Sequence, residues 1–287
     1  MKTLVRKLTI LFLVSFMLLS VEGVAQENKV LDGMFIKETA PTRRVIPYTH
    51  IREADVMFYK RVWREIDIRE KMNHPLYYPH QPINEIGFVR RNLFDIIKGA
   101  IDEGTITAYD QSSPGFEIEL NKTEANDLLS REVVTFDEDL ETGAIREVIV
   151  KEPIGGVDIA KYWIKEDWVF DRERSVLEVR IIGIMPIVNR IADDGSITGQ
   201  IGLFWIYFPE ARYVLANQEV FNKGNDGSRL TYEDFFKKRM FASYVRQETN
   251  VYNNRPLDAY TNGVDRLLES ERIESKIINY EHDLWQF

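Results

Sequence analysis

The chain contains no cysteine. That excludes a disulfide framework, thiolate metal sites and a cysteine nucleophile. It also removes the residue to which a bacterial lipid anchor is attached after a signal sequence. Histidine is scarce, with four residues, His50, His74, His80 and His282. In "HPLYYPH" two prolines separate His74 from His80, a spacing that matches no zinc motif, so the pair reads as satisfied or exposed side chains. There is no G-x-S-x-G, so no strained nucleophile turn is signalled. Positive charge is in deficit: Asp+Glu 46 against Lys+Arg 37 leaves −9 over 287 residues. Nucleic-acid binding requires the opposite balance. Carboxylates are so frequent that finding two of them near each other says nothing about glycoside hydrolysis.

Long apolar runs are missing too, except at the start. "MKTLVRKLTILFLVSFMLLSVEGVAQ" carries Lys2, Arg6 and Lys7, an apolar stretch from Leu8 to Leu19, then Gly23 and Ala25. This is the layout of a secretory signal peptide over residues 1–25, with the mature chain beginning at Gln26. The alternative, an uncleaved anchor, has too short an apolar run to span a bilayer comfortably. An exported chain without disulfides must be held by its core, and a chain of this length can bury one. The expectation is a protein of the periplasm or the cell exterior. It would not insert directly into a membrane, and any membrane association would come from a partner.

Residues 26–50 show no helical or strand period. Pro41 and Pro47 extend them, Arg43 and Arg44 add doubled positive charge, and Met34, Phe35, Ile36, Val45, Ile46 and Tyr48 supply apolar surface. The segment reads as an N-terminal arm that docks through Arg43 and Arg44 in an acidic groove on a neighbouring subunit or on a lipoprotein partner, or alternatively packs on its own domain. Residues 51–287 read as one α+β domain, an antiparallel sheet core with helices at both ends of the chain.

The spacing predicts a first helix from roughly Glu53 to Asn73 and a second from Ile83 to Glu103, ended by Gly104. "EVVTF" and "IREVIV" then pair as strands around Glu141-Thr142-Gly143. Three longer strands follow, "KYWIKEDWVF", "VLEVRIIGIMPIV" and "QIGLFWIYF". The first two turn at Asp171 to Arg174, and Asp194-Gly195 lies before the third. Pro186 is expected to put the end of its strand at an edge or bulge. The third strand is apolar on both faces and therefore central. Helices return in "EARYVLANQEVF" after Pro209, in "YEDFFKKRMFASYVRQE" and in the terminal "VDRLLESERIESKIINYEHDLWQF".

On a helical wheel the first helix places Val56, Phe58, Tyr59, Val62, Trp63 and Ile66 on one broad face. Lys60, Arg64 and Lys71 form a basic face, and Met57, Ile68 and Met72 a second apolar stripe. The pairs Glu65 with Arg69 and Asp67 with Lys71 suit i,i+4 contacts of ~0.3 kcal/mol each. One apolar surface serves the protein's own core. The other, with the basic face, serves either a second internal neighbour or another chain, which makes Met57, Lys60, Arg64, Ile68, Lys71 and Met72 candidate partner contacts.

"NKGNDGSRLTYE", Asn222 to Glu233, fits a calcium-loop frame only in part. Asp226, Gly227 and Glu233 stand in register, but Asn222 replaces a carboxylate and Gly224 offers no side-chain oxygen. A Gly/Asn loop with Thr231 and Asp234 capping the next helix is the simpler reading, and no metal or cofactor is expected.

"READVMFYKRVWREIDIREKMNHPLYYP", "FWIYFPEARYVLANQEVFN", "YEDFFKKRMFASYVRQETNVYNNRP" and "LLESERIESKIINYEHDLWQF" closely resemble the GldN family, called PorN in other members. The resemblance spans nearly the whole mature chain. It implies a non-enzymatic periplasmic subunit of the type IX secretion and gliding-motility machinery of Bacteroidetes. Members form a ring beneath the outer membrane with a GldK/PorK-like lipoprotein, and that ring is thought to engage a GldM/PorM-like motor protein. It carries over no catalytic residue. Two other classes fit an exported chain of this composition. A hydrolase would need a polar cleft with a coupled acid pair, and a glycan-binding module would need exposed aromatics. Phe204, Trp205 and Tyr207 imitate such a row, but their strand reads as buried.

Overall fold

A computed structural model describes Met34 and residues 43–85, 88–138, 145–191, 196–225 and 227–284. The expected signal peptide, most of the arm, the turns at Glu141-Thr142-Gly143 and Asp194-Gly195, and Asp226 lie outside the described residues. The unit that carries the fold is Thr39–Phe287.

The first element corrects the sequence reading. Val56–Asp67 is a twelve-residue strand, β1, and not a helix. Its Val, Phe, Tyr, Trp and Ile suit a half-buried pleated surface. Its charges find partners across the sheet instead of one helical turn along. Arg61 lies opposite Asp167 and donates to it through Nε at 2.6 Å and Nη2 at 2.9 Å. Lys60 reaches Glu248 at 3.1 Å. The expected helical pairs are replaced: Glu65 takes Lys161, and Asp67 takes Arg69.

After a single helical turn, α1 at His74–Tyr77, the chain forms a hairpin of β2, Ile83–Glu85, and β3, Phe88–Arg90. The helix expected from Ile83 therefore begins only at Leu93. This α2, Leu93–Glu103, starts where the Asn92 side chain accepts from the Asp95 amide at 2.8 Å, and it ends at left-handed Gly104 (φ 75°). Its buried face holds Leu93, Phe94, Ile97, Ala100 and Ile101. Full burial of each large side chain contributes about 1.5–3 kcal/mol.

β4, Ala108–Tyr109, and α3, Lys122–Leu128, lead into β5, Ser130–Glu138, and β6, Ile145–Pro153, which pair with each other as their alternation predicts. β7, Ile159–Asp171, and β8, Val176–Ile191, form the long hairpin. The "QIGLFWIYF" strand is split into β9, Ile197–Gly202, and β10, Trp205–Tyr207. Pro186 explains the split. It sits within β8, which continues past it, so it ends no strand. Its carbonyl accepts from Leu203 at 3.0 Å, at the break between β9 and β10. The missing amide donor thus faces the one place where the neighbouring chain leaves the ladder.

α4, Phe208–Leu215, carries Pro209 in its first turn, and β11, Glu219–Val220, pairs with β12, Leu230–Thr231. α5, Tyr232–Lys237, covers only the start of "YEDFFKKRMFASYVRQE". The rest becomes β13, Tyr244–Glu248, before α6, Gly263–Leu284.

The antiparallel sheet runs β13-β1-β7-β8-β10-β4, with β9 also on β8. One face carries the main core, where Ile66, Tyr162, Ile164, Ile184 and Ile206 pack with Phe94 of α2 and Phe235 and Phe236 of α5. On the same face α6 covers Val62, Trp168 and Val245 through Ile273 and Ile277. The opposite face holds Trp63, Trp163, Met185 and Trp205 under Phe116. Gly183 leaves room for that ring, since a Cβ there would stand 2.7 Å from Phe116 Cζ. Lys165 donates to the Pro114 carbonyl at 2.5 Å on this face. Among the described residues no helix is long and apolar enough to cross a membrane.

Candidate functional site

Three separate stretches of chain meet beyond the end of β1. The first is the turn after Asp67. Asn73 is fully buried and holds it: its amide donates to the Asp67 carbonyl at 2.7 Å and to the Ala242 carbonyl at 2.9 Å. Its oxygen accepts from the Ala242 amide at 2.9 Å. One side chain thereby joins the residue 67–73 turn to the segment before β13, and sets Lys71 and Met72 near Met240.

The second wall is the loop leaving β11. Phe221 is held edge-on to Tyr78, with centroids 5.1 Å apart, and the Arg90 guanidinium lies 5.6 Å from its ring centre. Asn222 accepts from the Gly224 amide at 3.1 Å, a tight turn that carries Lys223 outward.

The third is the exit from α5. Thr231 caps this helix, accepting from the Asp234 amide at 3.2 Å as the sequence indicated. Arg239 leaves it in the left-handed region (φ 52°) and forms a two-point ion pair with Glu166, at 2.8 Å and 3.3 Å. Glu166 has no exposed surface, so the pair ties the chain before Met240 to the middle of β7.

Between these walls lies an open groove of about 550 Å³, floored by Pro75, Leu230 and Phe235. Phe221 and the exposed Met72 and Met240 form its apolar sides. Lys71 and Lys223 stand at its rim, and neither forms an ion pair with a described residue. An apolar trough rimmed by two ammonium groups suits an apolar segment that brings its own carboxylates.

A model of the family described as "Gliding motility associated protein GldN" matches residues 51–286. The chain belongs to the GldN family. No curated protein matches it. The family match takes in all three walls of the groove and the whole of α6, and it begins after Arg43 and Arg44.

Of the candidate contacts read from the sequence, the structure brings Lys71 and Met72 together in the groove. The others are spread along an extended strand, where four residues span about 13 Å and not one helical turn. Met57 is half exposed at the far end of β1. Lys60 donates to the Thr249 carbonyl at 2.6 Å. Arg64 is buried and binds Ser243 at 2.8 Å and Glu274 of α6 at 3.1 Å. Ile68 is part of the main core. Arg43 engages its own chain through Asn217 and Asp234, whereas Arg44 is exposed.

The described end of the arm lies on the domain. Val45 is buried, Arg212 donates to the Ile46 carbonyl at 2.8 Å, and Tyr48 lies under the guanidinium groups of Arg212 and Arg180.

In the calcium-loop frame Glu233 is bound to Arg212 at 2.8 Å and not turned to the loop. No group of three or more metal-ligating side chains occurs among the described residues. Phe204 and Trp205 are buried, so the aromatic row at the start of β10 does not present a sugar platform. Phe221, Lys223 and Met240 read only as parts of separate predicted helices and a loop, not as members of one site. The one hint was the Gly/Asn-rich loop after Phe221.

Proposed function

We propose that the chain is a non-enzymatic structural subunit of a periplasmic ring complex in type IX protein secretion and gliding motility. In this reading it assembles with copies of itself and with a GldK/PorK-like outer-membrane lipoprotein, and the ring engages a GldM/PorM-like motor protein. The observation that carries it is the family match over residues 51–286 to a gliding-motility protein. The groove supports it, since apolar walls with a basic rim suit docking of a polypeptide.

The test is purification of the tagged chain from native membranes in mild detergent, with mass spectrometry and electron microscopy of the product. The reading expects a large ring that contains the lipoprotein, and a chain released from the outer membrane when the lipoprotein gene is deleted. A monodisperse monomer recovered without either partner overturns it, as does specific retention of glycan with turnover.

A further inference from the structure

α6 is attached by one side only. Ser270, Ile273 and Ile277 face the sheet, and Ser270 accepts from the Val245 amide at 2.6 Å. The opposite side of its first turns is apolar and uncovered: Val264 is 70%, Leu267 49% and Leu268 57% exposed. Val264, Leu267, Leu268 and Glu271 follow the i, i+3, i+4, i+7 spacing by which a helix enters a groove. Glu271 closes this stripe at its C-terminal end and Asp265 stands beside it, roughly 9 Å apart along the axis. Both are exposed, and neither forms an ion pair with a described residue.

The molecule thus carries two uncovered surfaces of opposite character. One is a concave apolar groove rimmed by Lys71 and Lys223. The other is a convex apolar helix face rimmed by Asp265 and Glu271. We infer that they are the two halves of one contact, in which the first turns of α6 from one copy occupy the groove of the next. Leu267 and Leu268 enter between Met72 and Met240, and the two carboxylates meet the two ammonium groups. The groove holds about 550 Å³, within the range of pockets that bury several side chains. The two patches share no residue, and we place the contact head-to-tail, so that repetition closes a ring or extends a filament where a reciprocal exchange would stop at a dimer. This inference rests on the proposed role as a ring subunit and supplies the surface through which copies join.

The absence of native cysteine makes the test direct. Met72→Cys and Leu268→Cys are introduced together in the tagged full-length chain, and cells are treated with a mild oxidant. A ladder of multiples of the chain is expected. Met72→Cys with Val157→Cys, an exposed apolar position elsewhere, should give none. Lys71→Glu with Lys223→Glu should reduce the ladder at least tenfold, and adding Asp265→Lys with Glu271→Lys should restore it. A missing ladder in chains that still co-purify with the lipoprotein overturns the interface and leaves the ring reading standing. A ladder in chains that do not co-purify supports the interface and overturns the lipoprotein partnership. A ladder insensitive to the charge reversals, or one equal to the Val157 control, also overturns the interface.

Discussion

The ion pair between Arg239 and Glu166 gives the sharpest energetic prediction. Glu166 lies in the middle of β7 with no exposed surface, and its oxygens accept from Arg239 and from the Trp168 indole at 3.2 Å. Replacing Arg239 by Met keeps most of the stem but leaves a buried carboxylate with only the indole as donor. Removing one partner of a buried pair costs about 3–5 kcal/mol. In a domain of this size that lowers the melting temperature by roughly 6–20 °C, at about 2–4 °C per kcal/mol. Replacing Glu166 by Leu as well removes the stranded charge, and the double variant should return to within about 1–2 kcal/mol of the parent. Urea titration followed by tryptophan fluorescence measures both, with Trp168 beside the pair as reporter. A loss below about 1 kcal/mol in the single variant would show that water reaches Glu166 and that the pair does not anchor the α5 exit. A double variant as unstable as the single one would assign the loss to packing of Arg239 over Trp168 and Phe241 and not to charge.

Two further outcomes follow from the same structure. Burial, followed by the nearby Arg61 charge, lowers the Lys165 ammonium from 10.5 to about 8. The unfolded chain therefore binds more protons between pH 8 and 10, and this residue should make stability rise with pH across that window; urea titrations at pH 7, 8, 9 and 10 should show a shallower rise for Lys165→Met. Asn73→Ala removes three hydrogen bonds of a fully buried side chain and strands the Ala242 amide, at an expected cost of about 2–4 kcal/mol. Hydrogen exchange should then show loss of protection in residues 67–76 and 240–242 before the long β7–β8 hairpin.

Local chemistry alone determined much of this protein. The β5–β6 pair, the β7–β8 hairpin with its turn at Asp171, the Gly104 stop of α2, the Thr231 cap of α5 and the amphipathic α6 all follow from patterns within one continuous stretch of chain. Each depends on neighbours close in sequence. The tertiary structure decided β1. Its charges are spaced as for a helix, yet Arg61 meets Asp167 and Lys60 meets Glu248, partners far away in the chain. Once those ladder pairs form, the aromatic and branched side chains favour the pleat. Met240 to Glu248 turned the same way: the left-handed Arg239 is held by Glu166 on another strand, so the helical pattern of "YEDFFKKRMFASYVRQE" stops at α5. Pro186 stays inside β8 because a strand fifteen to twenty residues later breaks opposite its missing amide. The groove shows the limit most plainly. Lys71 and Met72 were legible as surplus surface, but Phe221, Lys223 and Met240 join them only after three stretches converge, and a pattern confined to one segment cannot register a cavity shared among several.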